Sequence, residues 1–316
     1  GRPRSRRLAA TYYDTAEEAL RKGGATLSVK TGERRRTQIV AADATSVSSI
    51  LAAGAGPDLG RIRDADMRAR ALHLASDAAL TPAFQADVRI RTYPLAIEGT
   101  PVELTISIGQ ISAADAADGF VEAAFHAADR TTAYAAAEAL ADAIPVSVER
   151  RDFVARGYDL AHGRRFQVVL AQDVALDGEW NVRRGFDAVL RNCLDQFAAN
   201  EDAFAAGSGS EAIHQLRVAI RRMRAAFSAF ASVLPPDQTA DFRADLQWLQ
   251  QIFGPLRDWD VFCNETMATL REALPNHGGL RELAAEARAA RGQALVSARE
   301  ALASVRHGLF QVRLER

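Results

Sequence analysis

Two hydrophobic periods divide this chain. Over 86–126 apolar and polar residues alternate, the pattern of strands with one packed and one wet face. Beyond residue 179 apolar residues recur at steps of three and four, the pattern of helices packed side by side. Strands are expected at 8–14, 25–30, 34–40, 86–95, 102–108 and 120–126, with a hairpin turn at Thr31-Gly32. Thr15-Ala16-Glu17-Glu18 reads as a capping box that opens a short helix to Lys22, stopped by Gly23-Gly24. A second short helix is expected over 46–53. The segment 58–80 is ambiguous between the two states. Thr131 caps a helix that runs to 143 before Pro145, and 150–158 reads as a short connecting helix.

Four longer helices follow, at about 179–205, 211–234, 239–274 and 279–306. Ser210 is a candidate cap for the second. Gly254-Pro255 is expected to kink or break the third, because Pro removes a backbone donor and clashes one turn back. Arg257, Asp258 and Asp260 would then begin a new helical segment. Asp258 could instead orient Arg217 or Arg221. The fold class is α+β: an antiparallel β-sheet or β-barrel domain over 1–158, a linker over 159–178 and an all-α four-helix bundle over 179–316.

The second long helix carries a seam of Ile213, Leu216, Ile220, Met223, Phe227, Phe230 and Leu234. One residue round from it, His214, Arg217, Arg221 and Arg224 form a second stripe with the same steps. Side chains so spaced stack along one line, and the only nearby acid is Glu211. A column of like charge beside a core repels itself unless an anion fills the gap. A solvated or salt-bridged face remains an equal alternative at this point.

Composition narrows the partners. Net charge is −1, so no overall field draws the chain to nucleic acid or membrane, and any anion site must be local. Of the 39 basic residues only Lys22 and Lys30 are lysines. Arg suits bidentate phosphate recognition, although a GC-rich coding sequence would also favour it. Cys193 and Cys263 fall at apolar helical positions and form neither a disulfide framework nor a metal site. No run is long enough for a membrane span and no signal peptide opens the chain, which makes a cytoplasmic protein the default. The sequence opens without Met and stops directly after a helix, so a longer natural protein is expected.

The run His214-Gln-Leu-Arg-Val-Ala-Ile-Arg-Arg-Met-Arg224, followed by Gly254-Pro-Leu-Arg-Asp-Trp-Asp-Val261, resembles the first half of a CHAD domain, the conserved-histidine α-helical domain. The resemblance implies a helical bundle whose basic groove binds inorganic polyphosphate. On it, His214, Arg217, Arg221, Arg222, Arg224 and Arg257 are the candidate contacts, with Arg222 offset from the column. A full CHAD domain has a second, similar bundle, before which this chain stops.

Tyr12-Tyr-Asp-Thr15, Thr26-Leu-Ser-Val-Lys30 and the strand from Val102 to Gly109 are similar to a CYTH domain, the triphosphate tunnel fold, over about residues 6–158. That family uses paired carboxylates to hold Mg or Mn and basic residues to hold triphosphate. Here the opening Glu-x-Glu-x-Lys strand is missing, Ser28 stands where Arg is usual, and Ser107 where Asp is expected. Val40 and Ala41 take the place of a Lys. The late Glu-x-Glu-x-Lys survives only as Glu122, with Ala124 and His126 following. Lys30, Arg89, Arg91, Glu103 and Glu122 are left as lining of a vestigial, incomplete tunnel. No catalytic residue, metal ligand or cofactor is assigned.

Three functions compete. The leading one is polyphosphate binding by the Arg/His column. An inorganic triphosphatase dependent on Mg or Mn is the second, disfavoured by the carboxylate inventory. Nucleic-acid recognition by an arginine helix is the third, disfavoured because the arginines border the seam and no base-reading Asn or Gln accompanies them.

Overall fold

The computed structural model describes residues 3–31, 36–43, 45–52, 54–163 and 166–316, apart from the side chain of Gln238. Its contacts separate two compact units. One comprises Gly1–Ala137 with Glu149–Arg164, the other Glu138–Val148 with Arg165–Arg316.

The first unit is built on a seven-stranded antiparallel sheet in the order β4-β3-β2-β1-β5-β6-β7. The strands are β1 (Arg4–Asp14), β2 (Ala25–Thr31), β3 (Arg36–Ala42), β4 (Thr45–Leu51), β5 (Thr81–Ile97), β6 (Thr100–Ala113) and β7 (Ala116–Ala127). β4 and β7 are edges, so the sheet is open and the barrel alternative does not hold. The expected hairpin turn at Gly32 lies outside the described residues.

The short helix expected over 46–53 is a strand. Val47, Ser49 and Leu51 of β4 face one way beside Val40, Gln38 and Arg36 of β3. The alternation was obscured because Ser49 occupies an inward position; its hydroxyl lies 3.4 Å from the buried Gln38 amide, which also donates to the Asp58 carbonyl at 2.8 Å. The undecided segment 58–80 holds a 3-10 turn and α2 (Ala65–Ala75), capped by Asp64.

The sheet is covered on opposite faces at its two ends. Leu27, Val40 and Ala42 pack under α1 (Ala19–Lys22) and α2, with Leu20, Leu59, Ile62 and Ala71. Beyond β1 the other face is covered by α4 (Phe153–Ala161), through Tyr158 and Phe153 on Phe84, Ile111 and Phe120. Tyr12 stacks on Phe84 with ring centroids 4.3 Å apart. Gly157 permits this approach, since a Cβ there would lie 2.3 Å from the Phe84 ring.

Of the capping box, the Thr15 hydroxyl accepts from the Ala19 N–H at 3.0 Å, and Asp14 supplies the rest. The buried Asp14 carboxylate accepts from the backbone N–H groups of Thr15, Leu20 and Arg21 at 2.7–3.0 Å and from the Tyr158 hydroxyl at 2.6 Å. Glu18 instead sits at φ 54 and pairs with Arg21 at 2.9 Å. α3 (Arg130–Ala143) is capped by Asp129, which bonds Thr132 at 2.8 Å, and not by Thr131.

The second unit contains α5 (Val182–Ala205), α6 (Gly209–Ala229), α7 (Pro236–Val261), α8 (Met267–Ala273), α9 (Leu280–Leu302) and α10 (Val305–Glu315). The expected seam of α6 is its core face, since Ile213, Leu216, Ile220, Met223 and Phe227 are all buried. Truncating such a side chain to Ala removes about 2–5 kcal/mol. Residues 166–178 form no helix or strand, yet Val168 packs on this core, and Asn200 bonds both backbone groups of Val169 at 3.2 and 2.7 Å.

No break occurs at Gly254-Pro255. α7 runs through both residues, and the irregularity falls later, as a π turn at Phe262–Thr266. Pro255 removes one donor, but Leu249, Phe253 and Leu256 on either side are fully buried, and that packing holds the helix together. Asp260 is likewise not a first-turn acid, because it is buried against Arg291 at 2.5 Å.

Candidate anion-binding cleft

Three residues of the α6 stripe meet Gln250, Arg257 and Asp258 of α7 in a cleft of about 280 Å³. Its lining includes His214, Arg217 and Arg221 from α6 and Gln250, Arg257 and Asp258 from α7. The stripe falls there because each residue lies one position after a buried seam residue, on the flank of the helix that borders α7.

The side chains in the cleft differ in how they are held. Arg217 Nη1 donates to the Gly254 carbonyl at 2.8 Å and to Asp258 Oδ1 at 3.0 Å. Arg257 donates to the Ser210 hydroxyl at 2.7 Å and lies 3.8 Å from Glu265. Ser210 is thus inside α6 as an acceptor, one residue past its start, and not its cap. Arg221 and His214 have no hydrogen bond or ion pair among the described residues. Three guanidiniums therefore share the cleft with one carboxylate, Asp258, leaving a positive excess with unsatisfied donors.

Two of the candidate contacts lie elsewhere. Arg222 turns to the other side of α6. It donates to the side chains of Gln196 at 2.6 Å and Asn192 at 2.7 Å and to the Gln172 carbonyl at 2.8 Å, tying residues 166–178 to α5. Its offset of one position, about 100° round the helix, is the reason. Arg224 is exposed and lies outside the cleft lining. Gln250 was missed by counting along α6, because it comes from the facing helix.

The five tunnel candidates do not converge. Register pairs Arg89 with Ile108 and Arg91 with Ile106, whereas Glu122 pairs with Ser107, the partner of Ile90. The two arginines therefore lie on the opposite face from Lys30, Glu103 and Glu122. Glu122 is bound to the buried Arg156 of α4, whose guanidinium also lies 3.4 Å from Asp118 and 4.9 Å above the Phe120 ring. Glu103 pairs with Arg4 at 3.1 Å. Lys30 is half-buried, and desolvation followed by repulsion from Arg6 lowers its pKa.

The two glutamates do not fit a shared divalent cation. Glu103 is registered with His126 and Glu122 with Ser107, four residues apart along the strand, or about 13 Å at 3.3 Å per residue. A Mg or Mn ion needs its oxygens at about 2.1 Å. Among the described residues no cluster of three or more His, Cys, Asp or Glu could hold a metal, and no helix is long and apolar enough to cross a membrane.

No curated protein matches the chain. Among solved structures, the CHAD domain from the plant Ricinus communis shares 33% identity over 47% of this chain and 51% of its own, with a TM-score of 0.39. The chain thus spans about half the length of that relative. A Bacillus halodurans protein described as a candidate adenylate cyclase shares 11% identity over 48% of this chain and 82% of its own, at a TM-score of 0.31. The helices around the cleft match a family model over residues 188–316, and that family is the CHAD domain.

Proposed function

We propose that the α6/α7 cleft binds inorganic polyphosphate. The observation that carries this reading is Arg221, which has no side-chain partner among the described residues, beside Arg217 and Arg257 in a cleft whose lining holds one carboxylate, Asp258. An extended anion with repeated phosphates can take two or more of these forks at once. Charge-assisted bonds to phosphate are worth roughly 1.5–3 kcal/mol each. The similarity of 188–316 to the CHAD domain supports the same ligand class. Location in the cytoplasm would suit such a ligand.

A duplex nucleic acid also offers phosphates, but the cleft lies between two helices and presents no base-reading side chain along α6. The sheet unit is proposed as a degenerate tunnel fold that contributes no metal-dependent hydrolysis. Competition of labelled long-chain polyphosphate against unlabelled polyphosphate and duplex DNA tests the reading. Displacement by polyphosphate at far lower phosphate concentration than by DNA supports it, and equal displacement refutes it.

A further inference from the structure

We propose that Asp258 and the Gly254 carbonyl are a positioning device that presents one edge of Arg217 to phosphate; this rests on the polyphosphate reading above. Both bonds from Arg217 end on the same nitrogen, Nη1, at 2.8 and 3.0 Å. Nε and Nη2, the pair of parallel donors on the side of the guanidinium, make no bond among the described residues. That fork is the edge that matches two phosphate oxygens.

The two acceptors lie four residues apart on α7, one turn above the other, and so fix the guanidinium at two points from one rigid element. Both belong to the uninterrupted helix α7, so they act on one arginine from across the cleft. A free Arg side chain loses rotamer entropy when a ligand immobilises it, so holding it beforehand favours binding.

Asp258 has a second, opposing effect, because its negative charge repels the polyanion. Side-chain chemistry separates the two. Asp258→Asn removes the charge and keeps an oxygen that can accept from Nη1. Asp258→Ala removes both. Their charge is the same, so the ratio of their dissociation constants reports positioning alone.

We expect Asp258→Asn to bind long-chain polyphosphate at least as tightly as the parent, and Asp258→Ala to bind about five- to tenfold more weakly than Asp258→Asn. In an Arg217→Ala background the two should bind alike. A ratio near one in the Arg217 background overturns the proposal, as does a ratio that persists without Arg217. Side-chain nitrogen NMR gives a reading that needs no ligand. The Arg217 Nη resonances should be separate and slowly exchanging in the parent and Asp258→Asn, and averaged in Asp258→Ala. Averaged resonances in the parent overturn the positioning claim, while separate resonances with no polyphosphate binding overturn the ligand reading alone.

Discussion

Arg221 and Arg222 are neighbours in sequence and serve opposite sides of one helix. Arg221 lines the α6/α7 cleft without a side-chain partner among the described residues, while Arg222 is held by Gln196, Asn192 and the Gln172 carbonyl. The first is available to a ligand and the second to the fold.

The two should therefore separate in stability. Arg222→Ala leaves the Gln196 and Asn192 amides short of a charged donor and should lower unfolding free energy by about 1.5–3 kcal/mol. Arg221→Ala should change it by no more than about 0.5 kcal/mol. Urea denaturation of both variants checks this. Equal losses would mean that Arg221 has a structural partner.

In the sheet unit, the Tyr158 hydroxyl donates to Asp14 at 2.6 Å, and its pKa is raised, by burial first and by this bond second. A raised folded-state pKa contributes stability that is complete below the unfolded value of about 10 and fades above it. Tyr158→Phe should thus lose about 1–2 kcal/mol at neutral pH, and the difference from the parent should narrow at about pH 11. Denaturation at the two pH values measures it. A difference that is unchanged at high pH would contradict the assignment.

Glu122 should behave as a structural anion for Arg156 and not as a metal ligand. Glu122→Gln should lower stability by about 1–2 kcal/mol, since Asp118 and Glu149 remain near the guanidinium. Phosphate release from tripolyphosphate with magnesium or manganese should be absent in both proteins. Robust release by the parent that disappears in Glu122→Gln would restore the triphosphatase alternative.

What the sequence disclosed follows the range of the interactions. The α6 seam and the His214-Arg217-Arg221 line are local, set by 3.6 residues per turn, and were legible by counting. Arg222 was not, because its partners Gln172 and Asn192 lie 50 and 30 residues away. The separation of Arg89 and Arg91 from Glu103 likewise depends on register between β5 and β6, which alternation within one strand cannot give. Gly254-Pro255 misled for the opposite reason: a strong local signal was overridden by the buried side chains flanking it. On the cleft's far side, Asp258 was legible as an alternative partner for Arg217, but Gln250 carried no signal of its own.

Isothermal titration of long-chain polyphosphate into the parent, Arg217→Ala and Arg221→Ala, repeated over a range of salt concentrations, tests the central claim most directly. Each substitution should weaken binding by about tenfold or more. Each should also reduce the slope of log affinity against log salt by about one, because one fewer phosphate is neutralised. Parental affinity and slope in both variants would show that the cleft does not hold the polyanion.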